Sequence, residues 1–526
     1  MQVTRALTDV LSVHTHRLIT AGIKDKEAIT LQRASIQGIH PSTLLNVLDG
    51  AKNRTSSFYL GGQLQCLVSL DVGKFRYAAT PLQVGELGGN HFSIKIRGKD
   101  GKSEEENSSF HKTGNSDFDY VEGKSLIDEC EIEFIGGAAE TALRANIYGN
   151  WVIAGTINSD AHVPRRLLNI NEKLMLEMIQ NIKCKGFINY YGSQRVGSGF
   201  FENGFSAPDI GASLYRNDFV QAIHRLMLPR VGAYGDERKA RVAWSQNRDP
   251  HQASKLFPLR CTSQHIVLNE LKKDADDFIS NEDAEKANMV AYAAFDKVTY
   301  NMKTIWLHAY QSLVWNRMVS LRLQIFDHKI IPGDLVLLDT STENTPVTVW
   351  SRLRTKPEYL QAHTVTDADV DARRFGLEHL VLPVPGRNVM YPLNGIGEAY
   401  LYHIRADGTQ HYMWPKSVAA ASESRTSSIK NASVKCDDTS PEWFRATELE
   451  SRCEIEVNEG LKKTISGDWL LSTRGSYRHV FVVPQRVEGT TNSISSDSSN
   501  VSVDFSLPPG SYATVCMREL MKGVTS

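Results

Sequence analysis

A chain of 526 residues with 41% hydrophobic and 23% charged residues has ordinary globular composition, enough for roughly two to four compact units. Its formal net charge of −1 excludes a uniformly polycationic chain, so any nucleic-acid surface has to be local. No apolar run approaches the roughly 18 residues that a membrane-spanning helix needs, and residues 1–20 lack the apolar centre of a secretory signal.

The seven cysteines (66, 130, 184, 261, 436, 453 and 516) are scattered, odd in number and without a C-x-x-C pair. That usage points to a reducing compartment, nucleus and/or cytoplasm, and argues against a zinc site or a disulfide framework.

In chain order, Val3, Leu7, Val10 and Leu11 recur at helical spacing, so a short amphipathic helix is expected over residues 2–16. The stretch AGIKDKEAITLQRASI (21–36) follows, with Ile29 and Leu31 facing one way and Thr30 and Gln32 the other, as in a half-buried strand. Residues 58–97 read as several strands with glycine-rich turns. Residues 99–120 are polar and apolar-poor, as in a flexible loop, and strand-like runs return over 121–160. A helix is expected through 171–183.

Helical patterns dominate 213–229 and 284–326. In the second of these, Leu307, Tyr310, Val314, Met318, Leu321 and Ile325 form a long apolar stripe, and Trp306, Tyr310 and Trp315 read as core. Residues 330–339 look like a turn and a strand, and 378–392 like an extended, proline-rich connector. Two loops are expected, at 419–441 and at the Ser-rich 489–500. Strands are expected over 477–485 and 501–520, and no repeat emerges.

Charge is unevenly spread. Residues 185–260 hold eleven Lys/Arg against six Asp/Glu, whereas 99–131 hold four against ten. The basic excess surrounds the segment GFINYYGSQRVG (186–197), either as a solvated face or as a phosphate track.

Asp25 sits between Lys24 and Lys26, just after Gly22. Nearby positive charge favours the ionised carboxylate, a state suited to nucleophilic or general-base work on an electron-poor atom. The same residues also describe a solvated turn joining two elements. Phe92, on the strand that follows the glycine-rich turn GELGGN, would by pattern alone be core. In NYYGSQRVG, Gly192 and Gly197 allow close backbone approach, and Arg195 suits a phosphate or a carboxylate, or ties two elements together.

Three elements occur in order: G-x-KDK-x-A-x-T-x-Q (Gly22 to Gln32), G-N-x-F (Gly89 to Phe92) and N-Y-[FY]-G-x-Q-R-[FV]-G (Asn189 to Gly197). Together they resemble the TruD-type pseudouridine synthase family, including its eukaryotic members. The likeness extends to WLHAYQSLVWNRMVSLRL (306–323), PGDLVLLD (332–339), LVLPVPG (380–386), RGSYRHV (474–480) and LPPGSYATVCMREL (507–520). It fails mainly over 99–170 and in the two loops.

The resemblance implies an α+β fold whose central sheet is mixed and largely antiparallel, with an inserted family-specific α/β domain. The expected division is 1–98 as the first part of the catalytic core, 99–170 as a partly flexible insertion and 171–197 as the second part of the core. Residues 198–440 form the inserted domain, and 441–526 return to the core as C-terminal strands. The family pattern also places a whole stretch, including sheet strands and a basic residue near the catalytic aspartate, ahead of the helix before G-x-KDK. Here about twenty residues precede Gly22 and none match it, so either a late start or a shortened member is expected.

Converting uridine to pseudouridine breaks C1′–N1, rotates the base and rejoins it through C5. No redox step is involved, so neither cofactor nor metal is expected. The resemblance names Asp25 as the catalytic carboxylate, acting as nucleophile at sugar or base, or as base toward the C2′ proton. It makes Phe92 the ring that stacks on the flipped uracil, with Asn90 bonding Asp25 or the base. Lys24, Gln194 and Arg195 are the further candidate RNA contacts. RNA is the expected partner, tRNA first and mRNA or other RNAs besides. No membrane partner is expected, and a monomer is favoured. A different class of function is an RNA-binding protein or tRNA chaperone that keeps the scaffold without catalysis. A third is a hydrolase pairing Asp25 with Glu27, for which no general-acid context is present.

Overall fold

The structure, a computed structural model, describes residues 8, 11–20, 33–52, 75, 77–78, 80–82, 88–97, 172–196, 207–229, 233, 235–279, 283–413, 474–495 and 498–521. The strands expected within 58–74 and 121–160, the alternating segment 29–32 and the loops at 99–120 and 419–441 lie outside these residues. The chain forms two compact units, residues 1–90 with 508–510, and 91–507 with 511–526.

In the first unit, Thr8 of the expected helix over 2–16 is helical, and residues 11–16 form a turn that runs into the 3-10 turn Thr15–Arg17. Strand β1 (Leu18–Thr20) pairs antiparallel with β2 (Ala34–Ile36), Leu18 opposite Ile36, and helix α1 (Pro41–Lys52) follows. Proline at the first helical position loses only an N–H that would have had no intrahelical acceptor.

Among its described residues the second unit holds three sheets and one long helix. Strand β3 (Asn90–Arg97) is followed by helix α2 (Glu172–Lys185), strand β4 (Phe187–Ile188) and the single turn α3 (Ser193–Val196). A continuous helical block comes next: α4 (Ala207–Tyr215), α5 (Phe219–Met227), α6 (Asp236–Asn247), α7 (Pro250–Leu256), α8 (Thr262–Leu271), α9 (Ala275–Ile279), α10 (Ala284–Asp296) and α11 (Tyr300–Phe326).

The helices between 236 and 279 lie outside the two stretches whose periodicity signals helix. In α6 the reason is visible. Its inward face combines Ala240 and Trp244 with the buried pair Glu237–Arg241, bonded at 2.9 Å, so half of the buried stripe is charged.

Helix α11 is buried along most of its 27 residues, including the expected core aromatics Trp306, Tyr310 and Trp315. A helix covered on all sides lies inside its domain. Helix α4 packs against it closely: a Cβ on Gly211 would meet the Trp306 carbonyl oxygen at 2.1 Å.

Strands β5 (Leu335–Asp339), β6 (Thr345–Pro346) and β7 (Leu360–Thr364), helix α12 (Asp367–Asp371), strand β8 (Leu380–Val384), helices α13 (Gly395–Ala406) and α14 (Gln410–Met413) and strand β9 (Ser476–His479) come next. They supply a five-stranded antiparallel sheet, β6-β5-β8-β9 with β7 also on β5. The expected connector at 378–392 therefore contains a buried strand, β8. Pro383 is accommodated because β5 pairs only with Leu380 and Val381, leaving that side of the second half of β8 open. Side chains take its carbonyls instead: Trp315 Nε1 donates to Leu382 O at 3.1 Å and Tyr400 Oη to Pro383 O at 2.7 Å.

Strand β10 (Phe481–Val482) pairs with β4, and β11 (Gln485–Ser495) and β12 (Ser498–Leu507) form a hairpin with β3 on the far side of β12. The expected Ser-rich loop at 489–500 is thus strand on both arms. Its polar residues hid the pairing, because the ladder rests on backbone bonds rather than apolar alternation. The expected strand 501–520 ends at Leu507. After Pro508-Pro509-Gly510, helix α15 (Ala513–Met521) buries Cys516, Met517 and Leu520 at helical spacing and packs on α2.

Candidate functional site

The segment after α2 carries the densest set of anchored polar groups. Gly186 turns the chain at φ +73°, and a Cβ there would lie 2.3 Å from Val482 O, so only glycine lets β4 meet β10. Asn189 then bonds in both directions. Its N–H donates to Val480 O at 2.8 Å and its Nδ2 to His479 O at 3.2 Å. Tyr190 is buried with its hydroxyl 2.9 Å from Ser320 Oγ. Tyr191 is gripped by Asn316 of α11, whose carboxamide bonds both of its main-chain groups.

The turn α3 presents the next two candidates. Gln194 is exposed. Arg195 is half-buried and donates from Nε to Ser312 Oγ at 3.4 Å, while Ser312 Oγ donates to His308 O at 2.7 Å. Burial, reinforced by the Arg195 charge and opposed by a hydrogen bond with Gln311, lowers the His308 pKa.

Arg478 bonds this segment, and Arg352 bonds the neighbouring Tyr477. Arg478 of β9 donates from Nε and Nη2 to Asn189 O at 2.9 and 2.7 Å, and from Nη2 to Asn189 Oδ1 at 2.9 Å. Its guanidinium lies 4.0 Å from the Tyr191 ring centre and 5.2 Å from that of Trp315, a stacked cation–π arrangement. Arg352, on the single turn Ser351–Leu353, donates from Nη1 to Tyr477 O at 2.5 Å. Tyr512, just ahead of α15, stands edge-on to Tyr191 at 6.3 Å.

Desolvation lowers the pKa of Arg352 and of Arg478, and the Arg478 charge also pushes Arg352 down. Arg195 acts on Arg478 in the same sense. Arg352 and Arg478 nevertheless remain cationic at neutral pH, because an arginine starts so high. Burial raises the Tyr512 phenol, against the pull of Arg478 and Arg195. Among the described residues no carboxylate lies within ion-pair distance of any of the three arginines. A half-buried cluster of like charge beside aromatic rings is suited to hold an anion with a planar base nearby.

On the other sheet, Phe92 is half-buried on β3, its ring 5.5 Å from that of Phe505 on β12. Beside it His91 Nδ1 lies 3.0 Å from Ser506 Oγ. Phe92 packs against the core and is only partly covered by it. Asn90, at the start of β3, is half-buried. Asp25 and Lys24 lie outside the described residues.

Of the sequence candidates, the structure therefore brings Gln194 and Arg195 onto one turn. To their segment it adds Arg478, bonded to Asn189 and set over Tyr191, and Tyr512, edge-on to Tyr191. Arg478 and Tyr512 fall in RGSYRHV and LPPGSYATVCMREL, stretches already singled out by resemblance. Among the described residues no group of three or more His, Cys, Asp or Glu is placed to hold a metal ion, and no helix is long and apolar enough to cross a membrane.

Comparison with known proteins is consistent across three measures. The profile of the family described as tRNA pseudouridine synthase D (TruD) matches residues 1–116 and 129–442. The Pseudouridylate synthase 7 homolog of Mus musculus is 24% identical over 536 residues, covering 100% of this chain and 57% of that protein. The Multisubstrate pseudouridine synthase 7 of Schizosaccharomyces pombe is 23% identical, covering 98% of this chain and 59% of that protein. The chain thus spans somewhat over half the length of these curated relatives.

A crystal structure of a Methanosarcina mazei protein assigned as tRNA pseudouridine synthase D superposes with a TM-score of 0.52 at 18% identity, covering 99% of this chain and 84% of that one. At that identity the likeness speaks for the fold. It supports an α+β architecture of helices and antiparallel sheets.

Proposed function

The chain belongs to the TruD family of pseudouridine synthases, and on that premise we propose that it isomerises uridine to pseudouridine in RNA, with tRNA as its first substrate class and Asp25 as the catalytic carboxylate. The observation that carries the reading is Arg478 bonded to Asn189 and set over Tyr191, with Tyr512 edge-on to that ring, on the segment that carries Arg195: cationic, aromatic and without a carboxylate partner among the described residues. RNA supplies phosphates and bases, the two chemistries such a cluster recognises.

In the proposed reaction Asp25, kept ionised by Lys24 and Lys26, attacks the sugar or the base, or takes the C2′ proton. The C1′–N1 bond breaks, the uracil turns, and C1′–C5 forms. The C5 proton then leaves and N1 is protonated, so atoms balance without a redox partner. Phe92 stacks on the extruded uracil, and Asn90 orients Asp25 or the base. Gln194, Arg195 and Lys24 hold the RNA. One relative is named multisubstrate, which supports extending the substrate class to mRNA and other RNAs.

The test is incubation of the purified chain with uridine-containing tRNA, followed by pseudouridine mapping, with Asp25→Ala alongside. Pseudouridine at a defined site, lost in the variant, is the expected result. Tight tRNA binding without product in either protein would instead assign the chain to RNA binding alone. Equal product from both would remove Asp25 from the chemistry.

A further inference from the structure

Two segments of the chain cross closely at a pair of glycines. A Cβ on Gly386 would lie 2.4 Å from Gly475 N, and one on Gly475 would lie 2.6 Å from Val389 Cγ1. The Gly475 N–H donates to Arg387 O at 2.8 Å, and Arg387 and Arg474 face each other as partners of a parallel bridge. Gln311 of α11, itself buried, ties both segments down: its Nε2 donates to Pro385 O at 2.6 Å and to Arg474 O at 3.5 Å. Main-chain bonds, glycine packing and one carboxamide therefore hold the crossing without either arginine side chain.

Both arginines are exposed. Among the described residues neither side chain makes a hydrogen bond, an ion pair or a ring contact. Like charges set opposite each other on paired segments repel. The crossing thus carries two cations that do nothing for its own stability and have no described carboxylate to offset them. An anion from outside the chain would complete the arrangement.

The position of the crossing indicates which anion. One turn of α11 serves both the crossing and the candidate site: Gln311 Oε1 lies 2.8 Å from His308 Nδ1, and the next residue, Ser312, accepts from Arg195 Nε at 3.4 Å. An RNA chain held at Arg195 brings successive phosphates past its flank, and a guanidinium fork matches phosphate oxygens bidentately.

We propose that Arg387 and Arg474, set side by side by the Gly386–Gly475 crossing, form a clamp for the phosphodiester backbone of the RNA substrate on the flank of the Arg195 segment. The assignment rests on the reading of the chain as an RNA pseudouridine synthase and adds to it two residues and the ligand group that they take.

The experiment titrates tRNA over a series of salt concentrations against the wild-type chain, Arg387→Gln, Arg474→Gln, the double Gln variant and the double Lys variant. Each single Gln variant should weaken binding about two- to fivefold and lower the salt slope by about 1, and the double Gln variant should lower the slope by about 2. The double Lys variant, which keeps both charges, should keep the wild-type slope. A set of RNAs with one methylphosphonate each then locates the contact. Neutralising one or two neighbouring linkages should weaken wild-type binding and add little in the double Gln variant.

An unchanged slope in the double Gln variant would overturn the clamp, as would linkage effects that add fully to those of the substitutions. A slope lowered equally by Lys and by Gln would show that charge is not the cause. Thermal melts of all variants should match the wild type, and a lowered melt in a Gln variant would make the arginines structural. Inorganic phosphate that displaces RNA far below the equivalent of added salt would reassign the pair to a free anion. Pseudouridine mapping on unmodified tRNA runs in parallel. Product with an unchanged slope removes the clamp and leaves the synthase, and a coupled linkage without product does the reverse.

Discussion

Asn316 and Tyr191 are joined at both main-chain groups: the Tyr191 N–H donates to Asn316 Oδ1 at 2.9 Å, and Asn316 Nδ2 donates to Tyr191 O at 3.0 Å. A buried side chain of the central helix thus acts as a splint for the segment that carries Arg195. Asn316→Ala leaves a donor and an acceptor without partners and is expected to cost about 2–4 kcal/mol, measured by urea unfolding. RNA affinity of the folded fraction should fall with it, because the Arg195 turn is released. An unfolding midpoint and affinity equal to wild type would show that the segment holds itself.

Phe92 lies half-covered against Phe505. Under the proposed function, Phe92→Ala removes a stack worth about 1–3 kcal/mol from the extruded base, so turnover should fall about five- to 150-fold. Binding rests mainly on phosphates and should stay close to wild type. Single-turnover rates and filter-binding affinities separate the two. An unchanged rate would make the ring a core residue alone.

Arg322 and Asp334 are both fully buried and meet bidentately, Nε to Oδ1 at 3.0 Å and Nη2 to Oδ2 at 2.7 Å. Arg322 also donates to Lys329 O, and Asn394 Nδ2 to Asp334 Oδ1, so the pair locks α11 to β5 and α13. Asp334→Ala leaves the guanidinium buried and unpaired and should cost about 3–5 kcal/mol in equilibrium unfolding. Replacing both partners, Arg322→Met with Asp334→Leu, should recover part of that loss. A double variant less stable than the single one would count against desolvation as the cause.

His224, His403 and His479 are buried, and burial first of all pulls each pKa down to about 4 from an ordinary value of 6.5. The folded chain keeps them neutral while the unfolded chain protonates them. Their contribution is therefore complete above pH 6.5 and is lost as pH falls toward 4. Unfolding at pH 5 should take up roughly two to three protons from this source. The dependence of urea stability on pH at fixed ionic strength reads that number, and His479→Asn should lower it by about one. A flat profile over that interval would show the three imidazoles to be charged in the fold.

The long helix and its aromatic core residues were legible in the sequence because the apolar stripe from Leu307 to Ile325 is periodic. Helices α6 to α9 were less legible, because Glu237 and Arg241 satisfy each other in a position where the pattern seeks apolar residues. Strand β8 read as a connector because Pro383 argues against a strand until the half-open side of the sheet is seen. The hairpin of β11 and β12 read as a loop, since a serine-rich ladder has no apolar period to detect.

The sequence by itself determined the family, through three short motifs in order, and it named Asp25 and Phe92 as candidates for the proposed chemistry. Its local context also placed Arg195 on a basic stretch. Only the tertiary structure decided that Arg478, 289 positions beyond Asn189, bonds that residue and covers Tyr191 beside Tyr512. The reason is physical. Motifs record what neighbouring residues do together, whereas a charge cluster is assembled by strand pairing and helix packing across the whole chain, and no local pattern carries its members' separation.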